Sequence, residues 1–291
     1  MRPALCLSFA ALSALALFAP AATAAGREPL WEVSGLKEPE SVLPHAEAGV
    51  LYVSQVVGDF RAKDGVGFIA KVSADGKMID AEWIKGLNAP KGLARVGGTL
   101  YVADIDELVA IDLEKGEIAA RHKAEGAVFL NDAVAGPDGR VFVSDTATNT
   151  IWALKDGRFA PWLTDEGLQG PNGLIVENGR LVVAAIGRLP KDGDGGAPAH
   201  LVAVDLGAKT VGALGDGRPV GFLDGLAALG GGAYLASDYG RGPVYRITAD
   251  GAFAIVASFS AGTADLAYDA EKGVAYVPQS REGKLTALRL P

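Results

Sequence analysis

Cysteine is almost missing from the 291-residue chain, and Cys6 is the only one. It lies within the first two dozen residues, so the remainder has no thiol and no disulfide scaffold. Histidine is scarce as well, at three residues. No His/Cys pair stands at zinc spacing, which leaves a soft-ligand metal centre with little support. Basic residues are outnumbered, 27 Lys and Arg against 35 Asp and Glu for a formal net charge of -8, and that balance speaks against nucleic acid as a partner. Beyond the amino-terminal stretch no apolar run is long enough to cross a bilayer, so no membrane span is expected. With 49% hydrophobic and 21% charged residues, the chain has the composition of one that folds around a sizeable core, not of a disordered one.

Arg2 precedes an apolar stretch from Leu5 to Phe18, followed by Pro20 and the small residues Ala21-Ala22-Thr23-Ala24. The stretch is about 14 residues, short of the ~20 of a spanning helix, and an A-x-A cleavage site follows it. Residues 1–24 therefore read as a secretory signal cleaved after about Ala24. Residues 25–291 are expected to form one domain, periplasmic or secreted, and a monomer. An exported chain without disulfides must draw stability from core packing, from a bound ion, or from both.

Glycine is plentiful, 39 residues or roughly twice the usual share, and points to many tight turns between short elements. Aligned in rows of about 40 to 50 residues, the chain repeats itself. The rows open on Pro39-Glu40-Ser41-Val42, Pro90-Lys91-Gly92-Leu93, Leu130-Asn131-Asp132-Ala133, Pro171-Asn172-Gly173-Leu174, Leu223-Asp224-Gly225-Leu226 and, less clearly, Ala264-Asp265-Leu266. About ten residues after each opening comes a β-rich run such as Leu51–Ser54, Val141–Ser144 or Ala233–Ala236, and an alternating third strand follows, as at Thr150–Leu154. Fourth strands are visible around Ile79 to Trp83 and Phe253 to Ala257. The expectation is an all-β, six-bladed β-propeller with four antiparallel strands per blade, because radial closure protects the sheet edges that a flat array exposes. A two-domain sandwich is the alternative. The last row stops at its third strand, so the amino-terminal segment Leu30-Trp31-Glu32-Val33 should complete that blade and close the ring.

The first strand of each blade lines the central channel, so the residues opening those strands meet at one end of it. Five of them are Glu40, Lys91, Asn131, Asn172 and Asp224. Two carboxylates, two carboxamides and one ammonium converge there, which is costly without compensation. A hard cation such as calcium accepts six to eight oxygens at about 2.3–2.6 Å, and Glu40, Asn131, Asn172 and Asp224 supply four of them with two charges. The competing reading is that Asn-Gly and Asp-Gly are turn formers.

Glu40, Asn131-Asp132, Pro171-Asn172-Gly173 and Asp224-Gly225 resemble, in order, the calcium-ligand motifs of the senescence-marker-protein/gluconolactonase/LRE-like propellers, whose relatives include paraoxonase and the squid-type phosphofluoridate hydrolase. The resemblance implies one calcium ion in the channel polarising a lactone or ester, with Asp224 as general base. Family members that open sugar lactones carry an arginine where this chain has Phe129, which implies a more apolar lactone or ester.

Loops after second strands should overhang this end, and two are long, Gln55 to Gly67 and Ile186 to His200. Lys191-Asp192-Gly193-Asp194-Gly195-Gly196 in the second reads as a flexible polar lid, since it lacks the distal ligands of an EF-hand. Lys91, Phe129 and His200 are the substrate-facing candidates; Lys91 has charge balance as its other reading, and His200 a structural role. Asp104, Asp145 and Asp238 end second strands on the same face and compete with Asp224 as the base. Two functions remain: a calcium-dependent hydrolase of a lactone or related ester, or a non-catalytic propeller whose structural calcium supports binding of a small molecule or protein. A metal-free lyase like strictosidine synthase would leave the anchor carboxylates unexplained.

Overall fold

The computed structural model describes residues 28–189, 191 and 194–290, so the expected signal, with Cys6 and Ala24, lies outside the described residues. Six sheets, each of four antiparallel strands, follow one another around a ring. Their first strands are Pro39–His45, Pro90–Val96, Leu130–Ala135, Pro171–Glu177, Leu223–Gly230 and Ala267–Asp269. Each touches the next, and the last touches the first. Trp31–Ser34 pairs with Lys284–Arg289 as the outer strand of blade six, Trp31 opposite Ala287 and Ser34 opposite Lys284. The ring is thus closed by the amino-terminal strand, as its missing hairpin partner implied.

The apolar pattern grades outward from the channel. Second strands are buried along almost their whole length, as in Ala233–Asp238, because neighbouring blades cover both faces. Outer strands such as Met78–Leu87 are mostly exposed. The core is a set of layers between blades; Val182 and Leu201 of blade four pack in one cluster with Leu226 and Tyr234 of blade five. Each such side chain contributes about 1.5–3 kcal/mol by leaving water, so stability without disulfides is spread around the ring.

The first strands share a local irregularity that builds the channel mouth. Pro39 pairs with Gln55 but Val42 with Val53, so one residue too many lies on the inner strand. The same one-residue bulge falls at Lys91-Gly92, Asn131-Asp132, Asn172-Gly173 and Asp224-Gly225. The two bulge residues leave the ladder, and the first of each pair faces the channel. The N–H freed by the second is met by a serine of the adjacent strand in three blades: Ser54 for Ser41, Ser144 for Asp132 and Ser237 for Gly225, at 2.8 to 2.9 Å.

These bulges overturn the turn reading of Asn172-Gly173 and Asp224-Gly225, which lie inside strands. The glycines serve close approach between blades. A Cβ on Gly173 would stand 2.3 Å from the Asp224 carbonyl oxygen, and one on Gly225 2.3 Å from the Leu266 nitrogen. In blade six, Thr263 bridges Gln279 and Asp265 bridges Ser41. That register makes Ala264 the counterpart of Glu40, and Asp265 the counterpart of Ser41.

Candidate functional site

All five bulge-borne residues, Glu40, Lys91, Asn131, Asn172 and Asp224, line a single cavity of about 360 Å³ at the channel mouth. The expected four oxygen donors therefore share one chamber. All five are buried, Asn172 at 2% and Asp224 at 3% exposure. Asn172 Nδ2 donates to Asp224 Oδ1 at 2.5 Å, and Asn131 Nδ2 donates to Thr146 Oγ1 at 3.0 Å. Both carboxamides thus turn their nitrogens to protein partners, which leaves their oxygens as the acceptor ends of the two groups.

Glu40 Oε2 is buried without a hydrogen-bond partner. Buried acceptors left unsatisfied cost about 1–3 kcal/mol, and charged ones more. Burial, and then the negative charges of Asp224 and Asp265, push the Glu40 carboxyl well above the usual glutamate range, with Lys91 opposing. Burial and Asp265 likewise push Asp224 up, against the Asn172 hydrogen bond that favours its charged form. Among the described residues no three His, Cys, Asp or Glu side chains gather closely enough to hold an ion by themselves. The carboxamides are therefore needed to complete any donor set. An orphaned carboxylate oxygen in a chamber with two carboxamides fits a hard divalent cation, which prefers oxygen ligands and compensates negative charge.

A second ring of buried groups lies just below. Asp132 accepts from the Leu174 N–H at 2.6 Å, and Ser41 donates to Asp265 Oδ2 at 2.5 Å. The aspartates that end second strands have another task. Asp104 accepts from the Asn88 and Ala89 N–H groups, both at 2.8 Å, and Asp145 from those of Val128 and Phe129 at 2.9 and 3.1 Å. Asp238 accepts from the Arg241 N–H at 2.9 Å. Each clamps a turn, and none lines the cavity. Of the four aspartates that compete as the base, only Asp224 lines it.

Lys91 Nζ donates to the Ala89 and Phe60 carbonyls at 2.8 and 3.2 Å. Burial pushes its pKa down, Glu40 and Asp104 pull it back up, and Arg61 lowers it further. The ammonium balances charge and also pins the blade-one loop through Phe60. Phe129 lines the cavity as expected, with its ring centroid 5.8 Å from that of Phe60. His200 does not line it. Its loop turns back toward Gly221 through the Ala199 bridge, and burial lowers the imidazole pKa while Asp216 raises it. The cavity-lining position expected of His200 is thus not the one it takes. In the same loop, of which Pro190, Asp192 and Gly193 lie outside the described residues, Asp194 accepts from the Lys191 and Gly196 N–H groups, both at 3.0 Å, and pairs with Arg188. Tyr239 and Thr146, which carried no repeat-wide signal, complete the wall.

No protein-family model matches the chain, and no curated protein matches it. Solved structures do. A gluconolactonase from Xanthomonas campestris superposes with TM-score 0.64 at 16% identity, over 93% of each chain. A catalytically inactive virginiamycin B lyase from Staphylococcus aureus, solved with quinupristin, gives TM-score 0.60 at 12% identity, over 90% of this chain and 99% of its own. Hydrazine synthase from Kuenenia stuttgartiensis gives 0.62 at 14%, over 89% and 97%. Three different chemistries share these names, so the likeness carries the fold and leaves the chemistry to the site. The chain has the six-bladed propeller fold that a gluconolactonase also has.

Proposed function

We propose that the protein is an exported, calcium-dependent hydrolase of a lactone or related ester, acting as a monomer. The observation that carries this reading is the orphaned Glu40 Oε2 in a chamber also lined by Asn131, Asn172 and Asp224. Glu40, Asn131, Asn172 and Asp224 would hold one calcium ion. When bound, the ion supplies a Lewis acid for the ester carbonyl oxygen and offsets the two carboxylates.

Asp224 takes the proton from the attacking water, and the donation from Asn172 Nδ2 holds its carboxylate in one orientation. Phe60, Phe129, Ile186 and Leu189 supply apolar walls that fit an apolar acyl or ring portion and exclude bulk water. The export part of the reading rests on residues 1–24 of the sequence alone.

The test is a panel of lactones and aryl esters, assayed with calcium and with chelator. Turnover that requires calcium is expected, and at saturating calcium Asp224→Asn should lower kcat by about 10²–10⁴-fold with circular dichroism unchanged. Silence across the panel from calcium-loaded protein would overturn the hydrolase reading in favour of a binding propeller.

A further inference from the structure

The loop between Val50–Gln55 and Gly67–Ser73 carries a cation that repeat analysis passes over. The Arg61 guanidinium lies 5.3 Å from the Phe60 ring centroid and 5.4 Å from that of Phe129, and it lines the same cavity as Glu40 and Asp224. Lys91 Nζ stands 4.6 Å from the Phe129 centroid, so two cations share one aromatic ring. Among the described residues no carboxylate pairs with the Arg61 guanidinium. Arg61 is exposed at the mouth of the cavity, above the level at which Lys91 faces Glu40, so its guanidinium is accessible to an incoming anion.

The loop is built to hold that position. Arg61 N–H donates to Asp59 Oδ1 at 2.9 Å, Lys91 Nζ grips the Phe60 carbonyl, and Lys63 pairs with Asp106 of the next blade. Val57, a β-branched residue, adopts φ 59° at the start of the loop, a conformation retained only where the surroundings fix it. Phe60 and Leu189 at the mouth are 48% and 41% exposed, large apolar surfaces open to an entering ligand.

We propose that Arg61 is a specificity residue that binds the carboxylate of an apolar, carboxylate-bearing lactone or ester, whose body lies between Phe60, Phe129 and Leu189. This rests on the hydrolase reading and deepens it by naming a substrate class. Lys91 acts as a positioning residue for the loop. A guanidinium presents a planar fork to a carboxylate, whereas the buried Lys91 ammonium is already engaged with two carbonyls.

Two measurements test this on the calcium-loaded full chain. In the first, binding of phenylacetate and of phenylacetamide is measured by calorimetry to wild type, Arg61→Gln and Arg61→Lys. Wild type should prefer the carboxylate, Arg61→Gln should lose about 10–100-fold of that preference, and Arg61→Lys should keep more of it. In the second, the ratio of kcat/KM for a carboxylated aryl ester over its neutral counterpart should fall by a similar factor in Arg61→Gln. Equal preference in all three proteins, or equal binding of acid and amide to wild type, overturns the proposal. Arg61-dependent phenylacetate binding without turnover of any ester sustains the anion subsite and removes the hydrolase reading, so the two fail separately.

Discussion

Glu40→Gln should make the protein more stable without calcium and less responsive to it. Glu40 is a buried carboxyl with an unpartnered oxygen, facing the charges of Asp224, Asp265 and Asp132 with Lys91 as its nearby opposing cation. Glutamine takes the charge away from this site but leaves a buried polar group, so the gain is at most about 1–3 kcal/mol. For a domain of this size that is a rise of about 2–12 °C in Tm in chelator. An ion that binds only the folded state at 100 to 1,000 times its Kd adds about 3–4 kcal/mol, so calcium should raise wild-type Tm by about 5–16 °C. Losing one of two charged ligands should cut that increment to half or less.

The pH dependence gives the sign independently. Folding raises the Glu40 pKa, so between the ordinary glutamate range and the raised value the folded chain holds a proton that the unfolded chain has released. Stability from this source is present at low pH and is lost as pH climbs through the raised value. In chelator the advantage of Glu40→Gln should therefore be largest above the raised Glu40 value and fade as pH falls toward the ordinary glutamate range. Differential scanning calorimetry of both proteins, with and without calcium, at a weakly acidic and a weakly alkaline pH reads the Tm difference, the calcium increment and the pH dependence of each. If Glu40→Gln melts lower than wild type in chelator and keeps the full calcium increment, Glu40 is not an ion ligand and the reasoning fails.

Two further variants separate the chamber from its supports. His200→Ala should change kcat/KM by less than about twofold, since the imidazole lies outside the cavity wall; a tenfold loss in the ester assay would return the residue to the site. Asp145→Ala strips the acceptor from the Val128, Phe129 and Ala147 N–H groups. It should cost about 3 kcal/mol or more by denaturant melt, and a loss under about 0.5 kcal/mol would show that the turn has other partners.

The parts of the molecule that depend on periodicity were readable from residues alone. Second strands such as Leu181–Ala184 announce themselves because both faces are covered, and Leu30–Val33 was recognisable as the closing strand because it lacked a hairpin partner. What short-range pattern could not separate was a turn from a bulge. Asn172-Gly173 is an ordinary turn signal, and its actual reason is the Asp224 carbonyl oxygen of the next blade, 2.3 Å from where a Cβ would be. Nor does any period govern the blade-one loop. Phe129 reads in sequence as the loss of a cation, yet folding brings Arg61 from blade one over its ring. His200 was misplaced for the converse reason, because a long loop can turn away from the face on which it starts.

The bulge also explains why so general a fold accepts a particular chemistry. At Glu40, Lys91, Asn131, Asn172 and Asp224 the chain has stepped out of its ladder. In blades one, three and five, the freed N–H beside each is satisfied by a serine from the neighbouring strand. Side chains at the five positions can therefore change without breaking a strand pair. Their glycine neighbours Gly92, Gly173 and Gly225 cannot, because the next blade's bulge occupies the space of a Cβ. Channel-facing chemistry is thus free to vary while the spacing between blades is not. Two carboxylates gathered at such free positions, one with an oxygen that nothing donates to, are a burden that fold stability alone gives no reason to keep, and that a bound cation would remove.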